Sequence, residues 1–232
     1  PPPREYRTDR GQRASVTLPD GSAFQLGPLS VLRVPVSYGA PDRTVELEGD
    51  GYFNVAHDSA HPFAVRTVRT MVRDVGTRFI IRARAGERHT EIAVADGEVA
   101  IEPRVVSGGA SGAGAPNDSA SRLLTAGQAA LVDDRGAVTL LPRASVDAAF
   151  AWTHGEFVFE HTLVPDVLTE LGRWYGTTFV LADKSLDTVR LHTTLRGETL
   201  LEALVVLETA LDVDTHVRGD TVTLTRHTSD RR

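Results

Sequence analysis

Few residues in this chain have types and spacings that could support chemistry. His57 and His61 stand four apart, the spacing at which two imidazoles share a metal ion on a helix. Asp58-Ser59-Ala60 between them reads as a turn, so a surface loop is the simpler expectation. Glu46 and Glu48 share one face of an alternating strand, with Asp50 next along it. Paired carboxylates could act as general acid and base on a glycoside, but a solvated strand face is by far the simpler expectation. His154 and His161 stand seven apart with no third ligand beside them. There is no Gly-x-Ser-x-Gly elbow, phosphate loop or dinucleotide fingerprint. Gly109-Ala110-Ser111-Gly112-Ala113 approaches the elbow but lies in a run of small residues. The chain has no cysteine, which excludes disulfides, thiolate metal sites and thiol nucleophiles. No cofactor and no metal are therefore expected. Trp152, Trp174 and Tyr175 are candidates for inter-domain or partner contacts, with core packing as the competing expectation.

The 232 residues allow one large domain or two small ones. The formal net charge of −6 argues against a nucleic-acid partner, which normally meets a basic face. No stretch approaches the roughly 18 consecutive apolar residues of a membrane span; the best candidate, Leu200 to Leu211, is broken by Glu202 and Glu208. No signal peptide is visible, and the opening Pro1-Pro2-Pro3-Arg4 reads as the start of an excised segment.

Up to about Leu141 the sequence reads as short strands. Val16-Thr17-Leu18, Phe24-Gln25-Leu26, Val45-Glu46-Leu47-Glu48, the set Phe63, Val65 and Thr67, Ile92-Ala93-Val94 and Val99-Ala100-Ile101 alternate with period two. Turn glycines recur between them, among them Gly21, Gly49, Gly76, Gly86, Gly97 and Gly127. This pattern predicts a sandwich, a barrel or a solenoid-like stack of short strands. Residues 107–121, all small or polar, read as a flexible loop. After Pro142 the period changes. Leu163, Val167, Leu168, Leu171, Trp174 and Tyr175 fall at helical spacing, with Thr162 as N-cap and Gly176 as stop. A second helix is expected from Glu198 to Leu211 through Leu200, Leu201, Leu204, Val205 and Leu207. With the strands around them the order is β-α-β-β-α-β-β. The expected organisation is a β-rich domain at 12–141, a linker at 142–156 and a small α/β module at 157–226, hence a mainly β plus α/β chain.

Certain combinations are more specific than any single motif. Val16-Thr17-Leu18-Pro19-Asp20-Gly21 is followed by Gly51-Tyr52-Phe53, His61-Pro62-Phe63 and Val72-Arg73-Asp74-Val75-Gly76-Thr77-Arg78-Phe79. Asp96-Gly97-Glu98-Val99 and Leu124-Thr125-Ala126-Gly127-Gln128 close that series, and Gly155-Glu156-Phe157-Val158-Phe159 and Arg173-Trp174-Tyr175 continue it. In this order and spacing the chain resembles the FecR family, the periplasmic domains of bacterial transmembrane anti-sigma regulators. Its last 70 or so residues resemble the short N-terminal module shared by secretins and TonB-dependent receptors. Gly49-Asp50-Gly51 departs from the family, which usually carries Glu-Ala before the Tyr-Phe pair.

The resemblance implies a periplasmic, protein-binding region of a single-pass inner-membrane protein. Its partner would be the signalling domain of a TonB-dependent outer-membrane receptor, often one for iron carriers. A sigma factor would be engaged through a cytoplasmic segment that this sequence does not contain. The alternative is a carbohydrate-binding β-domain, which would need aromatic side chains exposed on one strand face. Some FecR-like regulators also cut themselves between a glycine and a threonine by an N-to-O acyl shift. The matching pair is Gly76-Thr77, and Asp74, His57 or His61 could assist if folding brings them near. Glycine at a strand corner with Thr77 bonding the turn is the plain structural alternative.

Overall fold

The structure, a computed structural model, describes residues 2–39, 41–74, 76–105, 121–196 and 199–227. Most of the 107–121 loop lies outside these described residues. The chain divides into two compact units. The first comprises residues 1–9 and 13–149, and the second residues 10–12 and 150–232. The segment 142–156 carries a helix, α1 (Ala144–Ala151), and a short 3-10 turn, and the division falls between Ala149 and Phe150.

The first unit is built from short strands around one long one. β1 (Arg4–Arg7), β2 (Ala14–Thr17), β3 (Ala23–Leu26) and β4 (Val31–Val34) lead to β5 (Arg43–Asn54). β6 (Phe63–Arg66), β7 (Thr70–Asp74), β8 (Arg78–Ala83), β9 (His89–Asp96) and β10 (Glu98–Pro103) follow. β11 (Arg122–Thr125), β12 (Ala129–Asp133) and β13 (Val138–Leu140) complete it.

Two sheets run through β5. Its first half pairs with β4 and, in parallel, with β6, giving the order β1-β4-β5-β6-β7-β10-β11. Its second half pairs with β3 and β8, giving β2-β3-β5-β8-β9-β12-β13. Gly49 makes the transfer possible. It sits at φ +106°, and a Cβ there would lie 2.3 Å from Ser30 Oγ. A strand that changes sheets needs such a bend at the corner. The odd-numbered side chains keep facing the core through the bend, from Val45 and Leu47 to Phe53, while on the other face Glu48 is exposed and Asp50 is buried.

The core of this unit is aromatic at its centre. Phe24, Phe53, Phe63 and Phe79 are fully buried, with Phe53 stacked on Phe79 at 5.1 Å and 6.0 Å from Phe63. Val65, Val72, Ile81, Val94, Ile101 and Leu124 extend it. Burial of Phe-sized side chains is worth about 1.5–3 kcal/mol each, so these four anchor the unit.

The second unit has the expected order. β14 (Glu156–Leu163), α2 (Val164–Tyr175), β15 (Thr178–Leu181) and β16 (Arg190–Arg196) are followed by α3 (Leu200–Leu211), β17 (Val213–Arg218) and β18 (Thr221–Arg226). β14 pairs with β16, and β15, β18 and β17 form a three-stranded sheet. α2 ends at Gly176 in the left-handed conformation, as its sequence requires. Its N-terminus differs from expectation: Thr162 belongs to β14, Leu163 occupies the cap without a side-chain bond, and Pro165 opens the first turn. α3 starts with a capping box of Thr199 and Glu202. Its buried face is Ala203, Leu204, Leu207 and Leu211, while Leu201 and Val205 are 68% and 60% exposed. The 3.6-residue repeat places those two on the opposite side from Leu207 and Leu211, so they are not core as expected.

Candidate functional site at the Gly76-Thr77 turn

β7 ends at Asp74, and β8 begins at Arg78, so the Gly76-Thr77 pair lies in the tight connection between them. Asp74 stands opposite Phe63 on one side and Val99 on the other, so it lies within a paired part of the sheet and is 2% exposed. A buried carboxylate is costly unless it is hydrogen-bonded, and the turn supplies three donors. Asp74 Oδ1 accepts from the Gly76 amide at 2.9 Å and from the Thr77 hydroxyl. Its Oδ2 accepts from the Thr77 amide at 3.2 Å.

Thr77 is 3% exposed and fixed on three sides. Besides Asp74, its hydroxyl lies 3.0 Å from the Glu98 carbonyl oxygen, and its own carbonyl accepts from the Val55 amide at 3.0 Å. Gly76 has φ +146°, a region L side chains rarely adopt. A Cβ on Gly76 would meet His57, 2.6 Å from Nδ1 and 2.9 Å from Cα. Gly97, at φ +80° in the turn from β9 to β10, lies over the other side. A Cβ there would be 2.8 Å from Thr77 Oγ1 and 3.3 Å from the Gly76 carbonyl oxygen. Two glycines thus let a histidine and a turn close on one peptide bond.

His57 also lines a cavity of about 250 Å³ with Asp20, Gly39, Arg43, Ala56 and Asp58. Arg43 is 3% exposed and is satisfied by Asp20, Ser22 Oγ and the carbonyls of Ala56 and His61. Burial pushes the Asp20 carboxyl up, but bonds from Tyr38, Ser22 and Arg43 outweigh it and hold it below the usual carboxylate range. Burial, then the Asp20 carboxylate, push the Tyr38 phenol upward.

Folding therefore brings Asp74 and His57 to the Gly76-Thr77 pair, but not His61. That ring bonds Asp58 at 3.0 Å within the turn that the sequence indicates. Gly97 was legible only as a turn glycine, because its contact with Thr77 crosses between hairpins. Among the described residues no group of three or more His, Asp or Glu side chains could hold a metal ion. Glu46 bonds Arg66 at 3.2 Å and Glu48 is exposed, a solvated strand face. Asp50 takes a bidentate bond from Arg84 at 2.8 and 2.7 Å.

Trp152, Trp174 and Tyr175 meet through Phe157 inside the second unit. Trp152 and Trp174 are buried with ring centres 5.5 Å apart, and Phe157 lies 5.1 Å from Trp174 and 6.3 Å from Tyr175. Trp174 Nε1 donates to Glu170 at 3.0 Å. Among the described residues every Phe, Tyr and Trp side chain is buried or half-buried.

The architecture is a tandem of a two-sheet β unit and a two-helix α/β unit. The chain belongs to the FecR family: residues 4–100 match the FecR protein model and residues 156–224 match the FecR C-terminal model. Two crystal structures of a protein provisionally assigned as an anti-sigma factor, from Parabacteroides distasonis ATCC 8503, share the fold. Each has a TM-score of 0.78 and covers 97% of this chain and 100% of its own, at 22% and 23% identity. No curated protein matches the sequence. No helix among the described residues is long and apolar enough to cross a membrane.

Proposed function

We propose that this chain is the periplasmic, signal-receiving region of a FecR-like anti-sigma regulator. It binds the signalling domain of a TonB-dependent outer-membrane receptor and thereby controls an extracytoplasmic-function sigma factor, which a separate cytoplasmic segment engages. The match of both units to FecR models carries this reading, and the anti-sigma assignment of the structural neighbours supports it. The β unit is the main receptor contact. Its terminal strands β1, β2, β11 and β13 each pair on one side only among the described strands, and an incoming strand can extend such an edge. Titration of the full chain with signalling domains of receptors encoded beside it tests the proposal. Saturable one-to-one binding is expected; absence of binding to every such domain refutes it.

The same regulator cuts itself between Gly76 and Thr77. The observation that supports this is the buried Thr77 hydroxyl held against a buried carboxylate, next to a glycine in a conformation other residues avoid. Thr77 Oγ1 is the nucleophile, and Gly76, lacking Cβ, leaves its carbonyl carbon open to attack. Intact mass measurement of freshly made protein should show fragments ending at Gly76 and beginning at Thr77. A single stable species would leave the pair as a structural turn.

A further inference from the structure

We propose that Asp74 is the proton carrier of this cleavage, taking the Thr77 hydroxyl proton and delivering it to the Thr77 nitrogen. The inference rests on the self-cleavage proposed above and assigns how its first step runs.

An N-to-O acyl shift needs two proton movements within one residue. Thr77 Oγ1 bonds to the Gly76 carbonyl carbon and must lose its hydrogen. The bond from that carbon to the Thr77 nitrogen then breaks, and the departing nitrogen must gain a hydrogen. Both atoms rest on the same carboxylate. Oδ1 accepts from Thr77 Oγ1 and Oδ2 accepts from the Thr77 N–H at 3.2 Å, so the carboxyl group lies beside both atoms, and the nitrogen takes the proton on the lone pair it gains as the centre turns tetrahedral. The proton leaves Oγ1 for Asp74 as the tetrahedral centre forms, and leaves Asp74 for the nitrogen as that centre collapses. The product is an ester between Gly76 and Thr77 Oγ1, with a free Thr77 amine and Asp74 ionised again. Water then adds to the ester carbon, giving a Gly76 carboxylate and the restored Thr77 hydroxyl. The Glu98 carbonyl, 3.0 Å from Oγ1, orients the hydroxyl but is too weak a base to carry its proton. Asp74 touches both reacting atoms, so its role is catalytic as well as structural.

The full chain and its variants are followed by intact mass after purification, with hydroxylamine added to a parallel sample to cleave any ester. Wild type is expected to yield fragments 1–76 and 77–232. Asp74→Asn keeps the shape and a hydrogen-bonding oxygen but cannot carry the proton, so cleavage should slow about 100-fold or more, the range of general acid–base catalysis. Thr77→Cys separates catalysis from folding. A thiol, with a usual pKa of about 8.5, gives up its proton without a strong base, so in that background Asp74 keeps only the delivery to nitrogen, and Asp74→Asn should cost at least about tenfold less than it does beside Thr77. Any folding defect of the asparagine variant is common to both backgrounds, so their ratio decides. An equal loss in both, or an asparagine variant within about threefold of wild type, overturns the proton-carrier role while cleavage stands. Wild type that gives neither fragments nor a hydroxylamine-labile bond overturns self-cleavage, and this role with it.

Discussion

Gly76→Ala tests whether the turn is as closely packed as its geometry states. The substitution is best made in a Thr77→Ala background, so that every chain compared is covalently whole. Two costs add. The backbone angle of +146° is one that alanine rarely adopts, and holding a residue in such a region costs about 1–3 kcal/mol. The new methyl would also lie 2.6 to 2.9 Å from His57 atoms, including its backbone Cα, which cannot swing away. Overpacking of that kind costs typically 1–3 kcal/mol. The expected loss is therefore about 2–6 kcal/mol, a large part of the roughly 5–15 kcal/mol that holds a domain folded. For a unit of this size, that lowers the melting temperature by about 2–4 °C per kcal/mol. His57→Gly added to Gly76→Ala removes the ring and the side-chain Cβ but not the backbone contact or the angle. Urea unfolding of the four variants gives the cycle, and a coupling of about 0.5–3 kcal/mol is expected for groups in contact. Zero coupling would refute the packing of His57 on Gly76. A Gly76→Ala variant as stable as its parent would refute the positive-φ turn itself.

Leu204→Ala should destabilise the second unit by about 2–5 kcal/mol, because Leu204 is 4% exposed, whereas Leu201→Ala should change it by under about 0.5 kcal/mol; equal melting of the two variants would reverse the helix face. Arg84→Met removes the bidentate partner of buried Asp50 and should cost about 3–5 kcal/mol in chemical denaturation; a loss below about 1 kcal/mol would show that the pair is not needed. The Asp20 carboxyl is held low in the folded state, so its stabilisation is present above the unfolded value of about 3.9 and is lost as pH falls through the folded value. Asp20→Asn should melt lower at neutral pH but lose less between about pH 5 and 2, and an unchanged acid slope would contradict the assignment.

Val45–Glu48 was legible because one face is buried and the other is not, whereas Ile92-Ala93-Val94 is apolar throughout because both of its faces are covered. α2 was legible through its apolar stripe and Gly176, whereas α1 was not: Ala144–Ala151 has little apolar periodicity. Gly49-Asp50-Gly51 looked like a departure from a family pattern, and only pairing on both sides of β5 shows it as the corner between two sheets. At the candidate site, Asp74 could be named from its place three residues before Thr77. The approach of His57 could not, since it depends on the Val55 amide bonding the Thr77 carbonyl across the sheet. Leu201 and Val205 misled because an apolar residue on a helix does not itself say which side is covered.

The strand order would give a chain cut at Gly76-Thr77 an unusual thermodynamics. β1 to β7 precede Gly76 and β8 to β13 follow Thr77, yet β8 lies along β5 and β10 lies along β7. Breaking the 76–77 bond would therefore sever no strand pairing, and the two pieces would still be joined through β5–β8 and β7–β10. What changes is the order of the unfolding reaction. The uncut chain unfolds as a single molecule, so its midpoint is independent of protein concentration. The cut one unfolds into two molecules, and its midpoint follows mass action, falling on dilution. At high dilution the lifetime of a chain cut there would be set by the rate at which β5 parts from β8 and β7 from β10.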